Sequence, residues 1–164
     1  EVVFDILSGE AADRMPEIQR RPEIIHGLRN LIQNAVDFAQ TRVWVEAAWS
    51  ETSIQLRIID DGPGYPQHLL SRIGEPYLRD RRGEKRPEYE GMGLGLFIAK
   101  TLLERTGATV RFANCNGRHV PRGFSGKRCG AMAEVTWPRA AIEGNPRSAL
   151  GENPNFERSN GERA

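Results

Sequence analysis

Two asparagines in "RNLIQNAVDFA", Asn30 and Asn34, stand four residues apart, and Asp37 follows three residues later. On a helix that spacing puts all three on one face. An amide carbonyl is a hard oxygen ligand suited to Mg²⁺, which keeps most of its waters and takes few protein ligands. A solvated polar face is the plain alternative. A second candidate is "DDGPG", Asp60 to Gly64, directly after the apolar run "SIQLRII". A carboxylate at a strand end can accept a hydrogen bond from an exocyclic amine such as adenine's, and Gly62 and Gly64 would let a flat base lie against bare backbone. The same residues also make an ordinary turn.

The third candidate is "EGMGLGLFIAK", with Gly91, Gly93 and Gly95 at alternate positions before a helical pattern. It is neither a dinucleotide fingerprint, which needs GxGxxG after a strand, nor a P-loop, which needs Gly-Lys-Ser/Thr. Free backbone N–H groups at the positive end of a helix dipole nevertheless suit phosphate oxygens. Close packing of the helix start against a sheet would explain the glycines equally well. Between these stretches lies "IGEPYLRDRRGEKRPEYE". Pro76 stiffens it and Tyr77 is large enough to pack. Residues 78–90 then carry five basic and four acidic side chains. They form either a solvated loop or a lid from which Arg79, Arg81, Arg82, Lys85 or Arg86 reaches a triphosphate.

These stretches need elements to position them. Val2 to Leu7 reads as a strand, and Met15 to Arg20 as a short extended piece. Pro22, placed as a first-turn residue, opens a helix to Gln40 on which Ile24, Leu28, Leu31, Ile32 and Ala35 recur at helical spacing. "RVWVEAAW" and "SIQLRIID" form an antiparallel hairpin. A short helix is expected over Gln67 to Ile73, and a longer one from Leu94 to Arg105 with Gly107 as its C-cap. "ATVRFANC" and "GAMAEVTW" are the last two strands. The expected fold is α/β (α+β): a two-layer sandwich with a mixed, mostly antiparallel sheet and helices on one face.

The chain has 164 residues and a net charge of +1, enough for one core and too neutral to select nucleic acid or a membrane surface by field. It shows no signal peptide and no apolar run long enough to span a bilayer. Glu1 opens directly into a strand, as expected of a piece of a longer protein. Cys115 and Cys129 could pair in principle, but two cysteines without CxxC spacing more often mean free thiols in a reducing cytoplasm. Residues 1–138 read as one domain. Residues 139–164, rich in Gly, Pro, Asn, Ser and charge, read as a disordered tail or a short docking segment.

Asn-bearing helix, DxGxG turn, Pro-aromatic anchor, charged loop, GxGxGL helix start: in that order the chain resembles the Bergerat-type ATP-binding fold, and within it the catalytic domain of sensor histidine kinases. The resemblance covers about Glu1 to Pro138. It implies that Asn34 coordinates Mg²⁺ and that Asn30 is the earlier polar position of the same box. It implies that Asp60, Gly62 and Gly64 hold the adenine. Pro76 and Tyr77 match the aromatic box, and Gly91, Gly93, Leu94, Gly95 and Leu96 the phosphate-side glycine box. Gly130 matches a degenerate third glycine box. "RRPEIIHGLRNLIQNAVDFA", "YEGMGLGLFIAKTLLERTGA" and "RCGAMAEVTWP" are similar to the RegB/PrrB group of redox-responsive membrane histidine kinases. That likeness implies a membrane-anchored homodimer with this part on the cytoplasmic side of a bacterial inner membrane. It also implies two partners, the protein's own dimerisation and phosphoacceptor histidine domain and a DNA-binding response regulator, with no direct contact to nucleic acid.

Two departures matter. Many histidine kinases have a lysine three residues after the second asparagine, where this chain has Asp37, so Arg79 becomes the better phosphate ligand. Hydrolytic relatives have a glutamate where this chain has Asn30, an amide that cannot serve as general base. No residue of the chain is therefore expected to act as acid or base. His26, His68 and His119 read as structural or solvated, so the acceptor histidine is expected on another domain and no autophosphorylation by the chain alone. The remaining alternatives are a nucleotide-sensing binding module and an autonomous ATPase.

Overall fold

Every second residue of "VWVEAAW" and "SIQLRIID" is apolar, and the computed structural model turns that alternation into the two faces of a sheet. It describes residues 1–6, 14–68, 70–73, 92–115 and 130–144, without the side chains of 92 and 93. The elements in order are β1 (Val2–Ile6), α1 (Pro22–Phe38), β2 (Val43–Trp49), β3 (Ser53–Asp60), a 3₁₀ turn (Leu70–Arg72), α2 (Met92–Glu104), β4 (Thr109–Asn114), β5 (Ala131–Pro138) and α3 (Arg139–Ile142). The five strands lie in the order β1-β2-β3-β5-β4. β1 runs parallel to β2, and the other pairs are antiparallel. The mixed, mostly antiparallel sheet is the expected one.

Val43, Val45, Ile58, Ala133 and Val135 form the core on one face with Leu31 and Ala35 of α1 and Leu96, Ala99 and Leu103 of α2. On the other face Trp44, Ile59 and Met132 gather a smaller cluster with Val3 and Ala113. The two helices lie close because α1 carries Gly27 at their contact, where a Cβ would sit 2.6 Å from Leu103 Cγ. The indole of Trp137 donates to Thr106 Oγ1 at 2.8 Å, and that hydroxyl donates to the Leu103 carbonyl. This ties the C-terminal end of α2 to β5. Gly107, at φ +88°, turns the chain out of α2 as the expected cap.

Four features differ from the sequence reading. α1 stops at Phe38 and not Gln40, because the N–H groups of residues 40–42 are taken by a side chain of the next turn. Of the helix expected over Gln67 to Ile73, the described residues form only the 3₁₀ turn Leu70–Arg72. The packed chain also continues past Pro138. Ile142 is fully buried, and an isolated bridge joins Ile18 to Glu143. The thiol expectation is overturned, since Cys115 is disulfide-bonded. The antiparallel pairing of β4 with β5 brings Cys115 N–H to the Gly130 carbonyl at 2.8 Å. The chain's other cysteine is Cys129, which lies outside the described residues, as do residues 145–164.

Candidate nucleotide-binding site

β3 lies between β2 and β5, so its last residue, Asp60, ends inside the sheet and is only 3% exposed. Its Oδ1 accepts from Gly62 N–H at 2.8 Å and from Ala131 N–H at 3.1 Å. Oδ2 has no partner among the described residues. Burial pushes the pKa of Asp60 above its ordinary value, the two backbone donors oppose that, and the neighbouring charge of Asp61 adds to it. Two glycines wall the carboxylate in. A Cβ on Gly62 would stand 2.2 Å from the Phe38 carbonyl oxygen, and one on Gly130 would stand 2.4 Å from Asp60 Oδ1. Gly130 N–H also donates to the Asp60 carbonyl at 2.7 Å.

The turn after Asp60 is held from both sides. Asp61 Oδ1 accepts from the N–H groups of Gln40, Thr41 and Arg42 at 2.9, 2.9 and 3.0 Å, and the Thr41 hydroxyl donates to Oδ2. Burial alone would raise the pKa of Asp61, but these donors together outweigh it and hold the carboxyl below its ordinary value. On the β4 side, Asn114 Oδ1 accepts from Tyr65 N–H at 2.6 Å and its Nδ2 donates to the Tyr65 carbonyl at 2.8 Å. Between the clamps, Gly64 adopts φ +81°, a conformation costly for any residue with a Cβ. Tyr65 is buried edge-on against Phe112, with ring centroids 5.9 Å apart.

α1 reaches this turn at Phe38, whose carbonyl meets Gly62. Asn34 stands one helical turn earlier and Asn30 two turns earlier, so both lie on the stripe that leads to Asp60. Both are half-buried, and neither amide has a hydrogen-bond partner among the described residues. Asp37 is exposed, and its carboxylate accepts from Gln33 Nε2 at 2.8 Å. α2 supplies the third side. Gly93, Leu94 and Gly95 lie in its opening turns, where the first N–H groups have no intrahelical acceptor. A Cβ on Gly95 would meet nothing within 4 Å, so close packing does not explain that glycine. Leu94 is 67% exposed, whereas the Leu96 side chain is in the core at 1%. Any ligand contact from Leu96 would have to come from its backbone.

The structure thus places Asn30 and Asn34 on the stripe of α1 that ends at the Asp60–Gly64 turn. Gly93–Leu96 open the helix packed alongside α1. Pro76, Tyr77, Arg79 and Gly91, with the rest of the expected lid, lie outside the described residues. His26 and His68 are exposed, and His119 lies outside the described residues. Sequence reasoning missed two residues. Asp61 reads as a solvated turn residue and is instead the clasp between α1 and β3. Asn114 reads only as the end of a strand, and nothing in its local sequence marks a partner 49 residues earlier.

Known proteins share this fold. Residues 19–140 match the family described as histidine kinase-, DNA gyrase B-, and HSP90-like ATPase. The sensor histidine kinase RegB of Cereibacter sphaeroides is 52% identical over 93% of this chain, which spans 34% of that protein. The nitrogen regulation protein NtrY of Azorhizobium caulinodans is 31% identical over 83% of the chain and 18% of its own length. Among solved structures, the mycobacterial sensor histidine kinase MprB superposes with a TM-score of 0.59 at 20% identity, over 84% of this chain and 83% of that one. Full-length ShkA, solved with AMPPNP, superposes with a TM-score of 0.59 at 20% identity, over 88% of this chain and 26% of that one. The chain therefore belongs to the histidine kinase-, DNA gyrase B- and HSP90-like ATPase family, as the catalytic ATP-binding domain of a sensor histidine kinase.

Proposed function

We propose that this chain binds Mg-ATP between α1, the Asp60–Tyr65 turn and the start of α2. We further propose that it donates the γ-phosphoryl group to a histidine on a separate dimerisation and phosphoacceptor domain. One observation carries the reading. Asp60 is a buried carboxylate with one oxygen held by two backbone donors and the other without a partner among the described residues, beside a glycine with no room for a side chain. An adenine amine would supply the missing donor. Guanine presents a carbonyl at the corresponding position and would face the carboxylate with an acceptor. The AMPPNP bound to ShkA, which shares this fold, supports a nucleotide of the same class here.

Magnesium fits the donor set at Asn34. Its amide is half-buried, has no hydrogen-bond partner among the described residues and offers a single neutral oxygen, which suits a cation that keeps its waters and takes phosphate oxygens. Bound there, the cation would neutralise charge on the triphosphate. The free N–H groups at the start of α2 would hold phosphate oxygens, and Arg79 would reach the same group from the lid. Transfer then consists of attack by an acceptor imidazole nitrogen on the γ-phosphorus as the bond to the β–γ bridging oxygen breaks and ADP leaves. The chain's own part is positioning and charge stabilisation. Asn30, an amide, supplies no base for water, which favours transfer over hydrolysis.

The likeness to RegB supports a redox-responsive two-component kinase, with a response regulator as the final acceptor and a membrane-anchored dimer as the whole protein. Calorimetric titration with Mg-ATP and Mg-GTP tests the adenine assignment, and only the first should give heat. Adding a helical-hairpin acceptor domain with radiolabelled ATP should label its histidine, and Asn34→Ala should abolish the label. Binding without label under any pairing would leave the nucleotide-sensor reading. Steady phosphate release by this chain alone would establish an ATPase.

A further inference from the structure

Asn114 closes β4 and belongs to none of the motifs of the expected nucleotide site, yet both polar atoms of its side chain are committed to one residue of the Asp60 turn. Oδ1 takes the Tyr65 N–H and Nδ2 gives to the Tyr65 carbonyl. The amide thus substitutes for a strand partner at a point where the backbone has left the sheet. Of the residues similar in size, only asparagine offers a donor and an acceptor in that geometry. Aspartate at neutral pH cannot donate, and leucine can do neither. Asn114 Oδ1 also lies 2.8 Å from where a Cβ of Gly64 would be, so it occupies the space opened by that residue's positive φ.

The same residue reaches Asp60 by a second route. Asn114 pairs with Ala131 across β4 and β5, and Ala131 N–H is one of the two donors on Asp60 Oδ1. A shift of Asn114 therefore moves both the turn that follows the carboxylate and a donor that orients it. Asp61 anchors the turn to α1 through Gln40, Thr41 and Arg42, and its side chain makes no hydrogen bond to Tyr65 or Ala131. We infer that Asn114 is a positioning residue that sets the adenine end of the site, holding the Asp60–Tyr65 turn in its binding shape before nucleotide arrives. The inference rests on the adenine reading of Asp60.

The test uses the chain as it stands, with Asn114→Ala and the near-isosteric Asn114→Asp. Both should raise the Kd for Mg-ATP about tenfold. Alanine loses both hydrogen bonds, and aspartate loses the donor and sets a carboxylate oxygen against the Tyr65 carbonyl. Both should also narrow the preference for ATP over GTP. A merely structural residue would lower the unfolding midpoint and leave the ATP-to-GTP ratio of the folded protein unchanged, which would overturn the inference. If neither variant folds, hydrogen exchange on the parent decides. The Tyr65 amide should be protected without nucleotide and gain little when Mg-ATP is added. Free exchange until ATP arrives would overturn the inference. A parent that binds ATP while both variants bind it equally well would defeat this assignment alone. A parent that binds no adenine nucleotide would defeat the adenine reading and this inference with it.

Discussion

β3 runs from Ser53 to Asp60, and its two ends are finished in opposite ways. At the Ser53 end the polar groups close on one another. Arg139 donates to both oxygens of Glu143, to the Ser50 carbonyl and to the Arg14 carbonyl, and Arg14 makes a second ion pair with Glu143 at 2.8 Å. Ser50 Oγ in turn accepts from the backbone of Thr52 and Ser53. At the Asp60 end the account is left open. Asp61 and Asn114 are fully engaged in holding the turn, whereas Asp60 Oδ2 and the amides of Asn30 and Asn34 have no partner among the described residues. At the Ser53 end the polar groups satisfy one another, whereas at the Asp60 end the groups without a partner among the described residues are the ones open to a ligand. Structural duty and ligand duty are thus divided between the two ends of one strand.

Opposite pKa shifts express the same division. Asp60 is pushed up by burial, so its contribution to stability is present below the ordinary aspartate range and is lost as pH rises through its raised pKa. Asp61 is held down by its donors, so its contribution is present above the ordinary range and is lost as pH falls through its lowered pKa. Asp60→Asn is the strongest way to break the comparison. The amide keeps an oxygen for Gly62 and Ala131 and removes the buried charge, so the unfolding midpoint at pH 7 should hold or rise. Affinity for Mg-ATP should fall by about 1–3 kcal/mol, the range for a hydrogen bond to a charged group. If the variant melts earlier and binds ATP as the parent does, Asp60 belongs with the structural end.

Gly95→Ala sharpens the comparison from the phosphate side, with a smaller effect. Its Cβ would enter open space within the protein, and alanine favours a helix over glycine by about 0.5–1 kcal/mol. Thermal stability should therefore rise slightly. Nucleotide affinity should drop severalfold, because the methyl group would stand where the α2 backbone meets phosphate oxygens. A gain in stability with unchanged affinity would remove Gly95 from the site.

Much of this was legible in the sequence because it depends on local period. Alternation gave the hairpin β2–β3 and the last two strands, and the spacing of Ile24, Leu31 and Ala35 gave α1. The order of the motifs placed Asn34, Asp60 and Gly95 on three neighbouring elements. What was not legible depends on partners distant in sequence. α1 ends early because Asp61, some 20 residues on, takes the N–H groups that would continue the helix. Ile142 falls in the polar stretch that reads as a tail, and it is buried because α3 packs it against the sheet. The role of Asn114 likewise depends on a contact that no local pattern announces.

Glu143→Gln probes the closed end and should leave the site untouched. Hydrogen bonds from Arg139, then those from Arg14, hold the Glu143 carboxyl down to about 2. The pKa is depressed, so its contribution to stability is complete above the ordinary carboxylate range and disappears as pH falls toward that value. The variant should melt below the parent at pH 7, and the gap should close steadily on acidification. Mg-ATP affinity at pH 7 should match the parent's, because Glu143 lies at the opposite end of β3 from Asp60. A gap in midpoint that does not change with pH would mean that Glu143 acts through packing and not through its charge. A loss of ATP affinity would mean that the two ends of the strand are coupled, and the division of duties between them would fail.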